Sequence, residues 1–320
     1  MECSVVRPMV DARDTPLPLE IAVVWLLFLL VAIEMLVTYS RLPARELYHV
    51  SGSGFAGGTS RVLVFSNFPV ALVAIAVLAL LWERLSSGAA RTAAVVGVVL
   101  AAAVFWPGVV DQANLDARTV NGLAGLGVLI AIALTALCAR NGVAWSRPQP
   151  GDRARLVVAV LALLVALPWM AAELGFYLDR IPGFGDLFET SRRPAGALLP
   201  SVHHGHHHGM DGTLLLLSAA LLSRVVPAVR PRRLRTAVGL YLALMASYGI
   251  GNMANDAWAE QIVKRGWTHW TVPSVLRPDV TIAWGVIVLG AAAIYAVSVW
   301  WSRRSTMGKQ RVALEPVAHV

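Results

Sequence analysis

The chain has 320 residues, 57% hydrophobic and only 14% charged, whereas a soluble domain carries about 25% charge. The apolar residues run in long blocks, which excludes an ordinary soluble domain. The net charge of +8 would suit nucleic acid, but the basic residues lie between apolar blocks, so a lipid bilayer is the expected partner and nucleic acid is not.

A helix rises about 1.5 Å per residue, so crossing the hydrocarbon core takes about 20 mostly apolar residues. Eight blocks qualify: 20–39, 62–82, 92–110, 120–139, 155–177, 212–229, 236–255 and 280–301. The expected fold is an all-α integral membrane protein of eight transmembrane helices. Asp11, Arg13, Asp14 and Glu20 precede the first block and no small-residue cleavage pattern follows it, so it is read as a true span rather than a signal peptide.

The first span carries Glu34 near its outer end, within Glu34-Met-Leu-Val-Thr-Tyr39-Ser-Arg41-Leu42-Pro43. A carboxylate there is expected to face the bundle interior, with Arg41 as a structural partner. The Gly-rich piece Ser51–Gly58 follows and reads as a flexible outer loop; without a strand before it, it is no phosphate cradle. The third span weakens at Pro107-Gly108 and then presents Asp111, Asn114 and Arg118. The fifth ends in Glu173-Leu-Gly-Phe-Tyr177-Leu-Asp-Arg180-Ile181-Pro182, with Glu173 and Arg180 as the corresponding pair.

The run His203-His204-Gly205-His206-His207-His208-Gly209-Met210-Asp211 comes next. Neutral imidazoles bind transition metals, and the supply here suits zinc or copper. His204 and His208, and His207 and Asp211, stand four apart, although Gly205 and Gly209 favour a loop. The pattern H-x-x-H-H is similar to the boxes of membrane desaturases, but those enzymes need several such boxes, and only His49 and His269 lie outside this one on the outer face. Heme A synthase has a similar eight-helix plan, but its ligating histidines lie within spans and none does here, so neither family is assigned.

The seventh span carries Tyr248, Asn252, Asn255, Asp256 and Glu260 at helical spacing, just after Gly249 and Gly251. Matching interruptions in two halves are a sequence pointer to a transporter site, because freed backbone groups can coordinate a ligand. Trp258, Trp267 and Trp270 fit an interfacial aromatic belt.

Two motifs recur. E-x6-R-[LI]-P repeats at a shift of 139 residues, and [DN]-x-A-N repeats at 141, through Asp111-Gln-Ala-Asn114 and Asn252-Met-Ala-Asn255. Gly58-Thr59 and Gly212-Thr213 offer a third match. Two parallel four-helix repeats follow, at 20–140 and 155–301, with an N-terminal segment 1–19, a linker 141–154 and a tail 302–320.

Arg84 and Arg91; Arg140, Arg147, Arg153 and Arg155; Arg224, Arg230, Arg232, Arg233 and Arg235; and Arg303, Arg304, Lys309 and Arg311 fall on one side of an eight-span chain. That side is the cytoplasm, with both termini, and the membrane is the cell membrane. Cys3 and Cys138 also lie there, as free thiols.

The expected polar site at the extracytoplasmic face comprises Glu34, Asp111, Asn114, Glu173, Asn252, Asn255 and Asp256; the expected metal site comprises His203, His204, His206, His207, His208 and Asp211. The favoured function is a transporter or binding protein for a cation or small polar solute. The alternatives are a metal-dependent membrane enzyme acting on a lipid-like or extracytoplasmic substrate, which the histidines favour, and a non-catalytic accessory or assembly subunit.

Overall fold

The structure, a computed structural model, describes residues 15–41, 50–106, 109, 115–173, 182, 208–263, 266–276 and 280–314. It is all-α, and the described residues are mostly helical. The long helices are α1 (Leu19–Arg41), α2 (Gly54–Arg84), α3 (Gly88–Phe105), α4 (Thr119–Ala139), α5 (Asp152–Glu173), α6 (His208–Leu222), α7 (Arg232–Ala257) and α8 (Ile282–Leu314). Among the described residues, α1, α2, α3, α4, α7 and α8 are the six long and apolar enough to cross a membrane.

The bounds of the span expected at 212–229 are corrected. Its helix ends at Leu222, and a turn at 223–225 and a single 3₁₀ turn at Val226–Ala228 follow. Pro227 and Pro231 lack the amide hydrogen that a continuing helix requires. The expected loop at Ser51–Gly58 is also corrected, because α2 starts at Gly54. Gly58 lies against α1 so closely that a Cβ there would be 2.7 Å from the Leu36 carbonyl oxygen. Small residues let helix backbones approach in this way.

α2 is central. Its apolar stretch is 67% buried, against 11% for the peripheral α8. It packs on α1, α3, α4 and α7, while α6 and α7 share the most extensive helix interface among the described residues. The second interface is also built on glycine: a Cβ at Gly212 would sit 2.5 Å from the Gly249 carbonyl oxygen. Gly58 and Gly212, paired by the sequence, therefore serve different interfaces, one with α1 and one with α7.

The outward faces are apolar. Leu26, Leu29, Leu30 and Ile33 of α1 and Leu156, Leu161 and Leu164 of α5 are exposed, as are Val286 and Leu289 of α8. Contiguous apolar faces of this extent fit lipid as solvent and not water.

Loops gather at two ends. At the first, β1 (Leu17–Pro18) pairs in parallel with β2 (Val143–Ala144), the Arg84 guanidinium donates to the Thr15 and Pro16 carbonyls, and the Arg230 amide donates to Glu83. At the second, the Ser51 amide donates to Asp116 and the Ala117 amide to Ser60 Oγ. The basic segments around 84, 140–155 and 224–235 thus share the first end.

Candidate functional site

The polar stripe of α7 turns inward. Tyr248, Asn252 and Asp256, each four residues on from the last, are all buried. The Tyr248 hydroxyl donates to the Leu276 carbonyl at 2.7 Å, and its ring stacks on Trp284 at 5.4 Å and meets Phe68 of α2 edge-on at 6.0 Å. Asn252 donates to the Tyr248 carbonyl within its own helix. Asn255 is turned aside and donates to the Pro273 carbonyl, tying α7 to the segment before α8.

The expected weakening of α7 is corrected. The helix runs unbroken through Gly249 and Gly251 to Ala257, and a π turn at Trp258–Val263 follows. The two glycines serve packing: Gly249 admits the backbone of α6, and Gly251 faces Ile287 of α8. The interruption falls instead in α2, where Ser66–Val70 forms a π turn containing Pro69. Such turns occur often at functional sites. Asn67 within it is buried, and its Oδ1 accepts no hydrogen bond among the described residues.

Asp211 belongs with this stripe. It opens α6 one residue before the Gly212 crossing, is only 4% exposed, and its Oδ1 accepts no hydrogen bond among the described residues. The positive charge that acts on it is that of Arg61 in α2. Arg61 is itself buried, with its guanidinium 5.5 Å from the centre of the Tyr39 ring of α1. α1, α2, α6 and α7 thus each contribute a polar side chain to one region of the interior.

Glu34 is half-buried on α1 and accepts from Thr38 Oγ1 at 2.7 Å. The expected partner Arg41 is exposed and forms no ion pair with it, because the two stand two turns apart and Thr38 lies one turn away.

Asp111, Asn114, His203, His204, His206 and His207 lie outside the described residues, as do the side chains of Glu173, His208 and Glu260. Among the described residues no three His, Cys, Asp or Glu side chains gather as a metal site.

The sequence reading missed Arg61, because the second span was started at 62 whereas α2 begins at Gly54, which left Arg61 outside it. An ionisable residue against an apolar run is itself a signal of function. It also passed over Glu20, read as a flanking charge. Glu20 is fully buried at the first end of the bundle and accepts from Arg224 Nε at 2.9 Å.

The fold defines a class, a helical membrane protein with several polar side chains buried in an apolar core. Comparison with family models, curated proteins and solved structures finds no match.

Proposed function

We propose that the chain is a multi-pass protein of the cell membrane with eight spans and both termini cytoplasmic, and that its polar site is the binding site of a transporter or binding protein for a cation or small polar solute. The observation that carries this reading is the burial of two carboxylates, Asp211 and Asp256, at 4% and 3% exposure among apolar helices. Both stand near helix ends, where a charge costs less than the roughly 2.5–3.5 kcal/mol of the bilayer centre, but buried ionisable groups in membrane helices mark substrate or ion pathways. Arg61, whose charge acts on Asp211, gives the site both signs of charge, as a small polar solute would need.

The test is flux and binding in proteoliposomes, with sodium, potassium, zinc and copper(I) as trial cations. The expected result is uptake or binding of at least one by the native chain, lost in Asp211→Asn and retained in the distant control Gly122→Ala. Equal behaviour of native chain and Asp211→Asn towards every trial ion would overturn the reading for cations.

Two parallel four-helix repeats belong to the same proposal. They are supported by the shared motif shift and by packing between chain neighbours in each half, α2 on α1 and α3 and α3 on α4 in the first, α6 on α5 and α7 and α7 on α8 in the second. An experimental structure in which 18–140 superposes on 157–300, with Glu34 over Glu173, would support them; a best fit in inverted orientation would refute them.

A further inference from the structure

At the end of the bundle away from the polar site, four ionised side chains close a ring. Arg224, just past the end of α6, donates from Nε to Glu20 Oε1 at 2.9 Å and pairs through Nη1 with Asp152 Oδ2 at 2.9 Å. Asp152, in the first turn of α5, also pairs with Arg155 Nη1 at 3.0 Å. Arg155 Nε donates to Ser223 Oγ at 2.8 Å, which returns the ring to the residue beside Arg224. Ser146 of the linker donates to Glu20 from both its amide and its hydroxyl, at 3.1–3.3 Å. Two carboxylates meet two guanidiniums, so the ring carries no net charge. Glu20 and Asp152 stand at helix N-termini and Arg224 follows a helix C-terminus, each the favourable end for its sign.

We propose that this ring is the inner gate of the polar site, closing the bundle at its basic end and opening by separation of α6 from α1 and α5. The proposal rests on the transport reading above. Three features carry it. The helices that hold the ring also hold the site: Glu20 and Glu34 share α1, and Arg224 follows the helix of Asp211, each pair about 20 Å apart at 1.5 Å per residue. A tilt of either rod therefore moves both ends. The ring joins the first helix to the linker and the second half, the interface across which halves rock in alternating access. Finally, three of the four side chains are a fifth to a quarter exposed, and ion pairs that water can reach are worth little each, so the ring specifies a closed arrangement without holding it irreversibly. α6 gives way to a turn at 223–225, directly at the ring, which supplies a hinge.

The test uses a reporter cysteine between site and ring. Ser218 of α6 is fully buried and its hydroxyl has no hydrogen-bond partner among the described residues, so Ser218→Cys is a mild change. It is placed in a chain with Cys3→Ala and Cys138→Ala, in vesicles that expose the basic end to a membrane-impermeant maleimide. The expected result is protection with the ring intact, labelling faster by about tenfold in Glu20→Gln and in Arg224→Gln, and protection restored in Arg224→Lys, which keeps the charge. Unchanged labelling in both glutamine variants overturns the gate, as does Arg224→Lys labelling as fast as Arg224→Gln.

If Ser218→Cys does not fold, hydrogen exchange of the Glu20→Gln protein in detergent decides. Faster exchange confined to 216–222 supports the gate, and equally fast exchange throughout every helix overturns it. Neither readout involves a solute, so the gate and the Asp211→Asn flux test fail separately.

Discussion

Gly212 shows how one side chain, or its lack, sets the position of the polar site. With only hydrogen at Cα it lets α6 touch the backbone of α7, which sets Gly212, the residue after Asp211, against Asn252. Gly212→Val should lower thermal stability in detergent by on the order of 2 kcal/mol through overpacking. Gly122→Val, with nothing within 4 Å of its would-be Cβ, should change it little. A melting curve that falls equally for both would refute the packing role. Thr38 gives a second case. It is the hydrogen-bond donor to Glu34, whose other oxygen is enclosed without a partner among the described residues. Thr38→Val should destabilise by about 1–3 kcal/mol, the cost of stranding an acceptor, and Thr38→Ser should recover most of it. Glu34 was legible in the sequence because a carboxylate in an apolar run is rare. Thr38 was not, because a threonine at helical spacing has many other uses.

Helices were legible where apolar runs are long, and their ends where local chemistry stops them. α4 matches its expected limits closely, and the Asn121 side chain at its start accepts from the Arg118 amide at 2.6 Å. What the sequence hid was tertiary. Glycines in α7 read as helix breakers and serve as contact points, since the propensity cost of glycine is outweighed by the packing it permits. The π turn of α2 had only Pro69 to announce it. The histidine-rich segment ahead of α6 is a separate element with its own expectation. Replacing His203, His204, His206, His207 and His208 together with alanine should abolish stoichiometric zinc or copper in equilibrium dialysis and leave the melting temperature unchanged. In the native chain, metal affinity should fall as pH drops through about 6.5, because protonated imidazole cannot bind. Full retention of metal by the histidine-free chain would place the site elsewhere.

As a whole, the described residues present leucine and valine at the outer surface as well as in the core, while Asp211 and Asp256 are buried. The apolar exterior was legible from composition. The gathering of the basic segments at one end also followed from counting spans, because each pair of crossings returns the chain to the same side. Sidedness itself is open to measurement. A cysteine at Ser53, exposed just before α2, and one at Ser305 should label from opposite faces of intact cells; labelling of both from one face would reject an eight-span topology with cytoplasmic termini.

The ring at the basic end also orders events during synthesis. Glu20 emerges from the ribosome with the first helix, yet the guanidinium that neutralises it lies 204 residues further along. Translation at about 5–20 residues per second leaves that carboxylate without its counter-ion for about 10–40 s, while several hydrophobic segments are delivered to the bilayer. Glu20 is the second residue of α1, so water at the membrane surface can hold its charge in the meantime, and a nascent chain arrested before residue 224 should be a preferred target of membrane quality-control proteases.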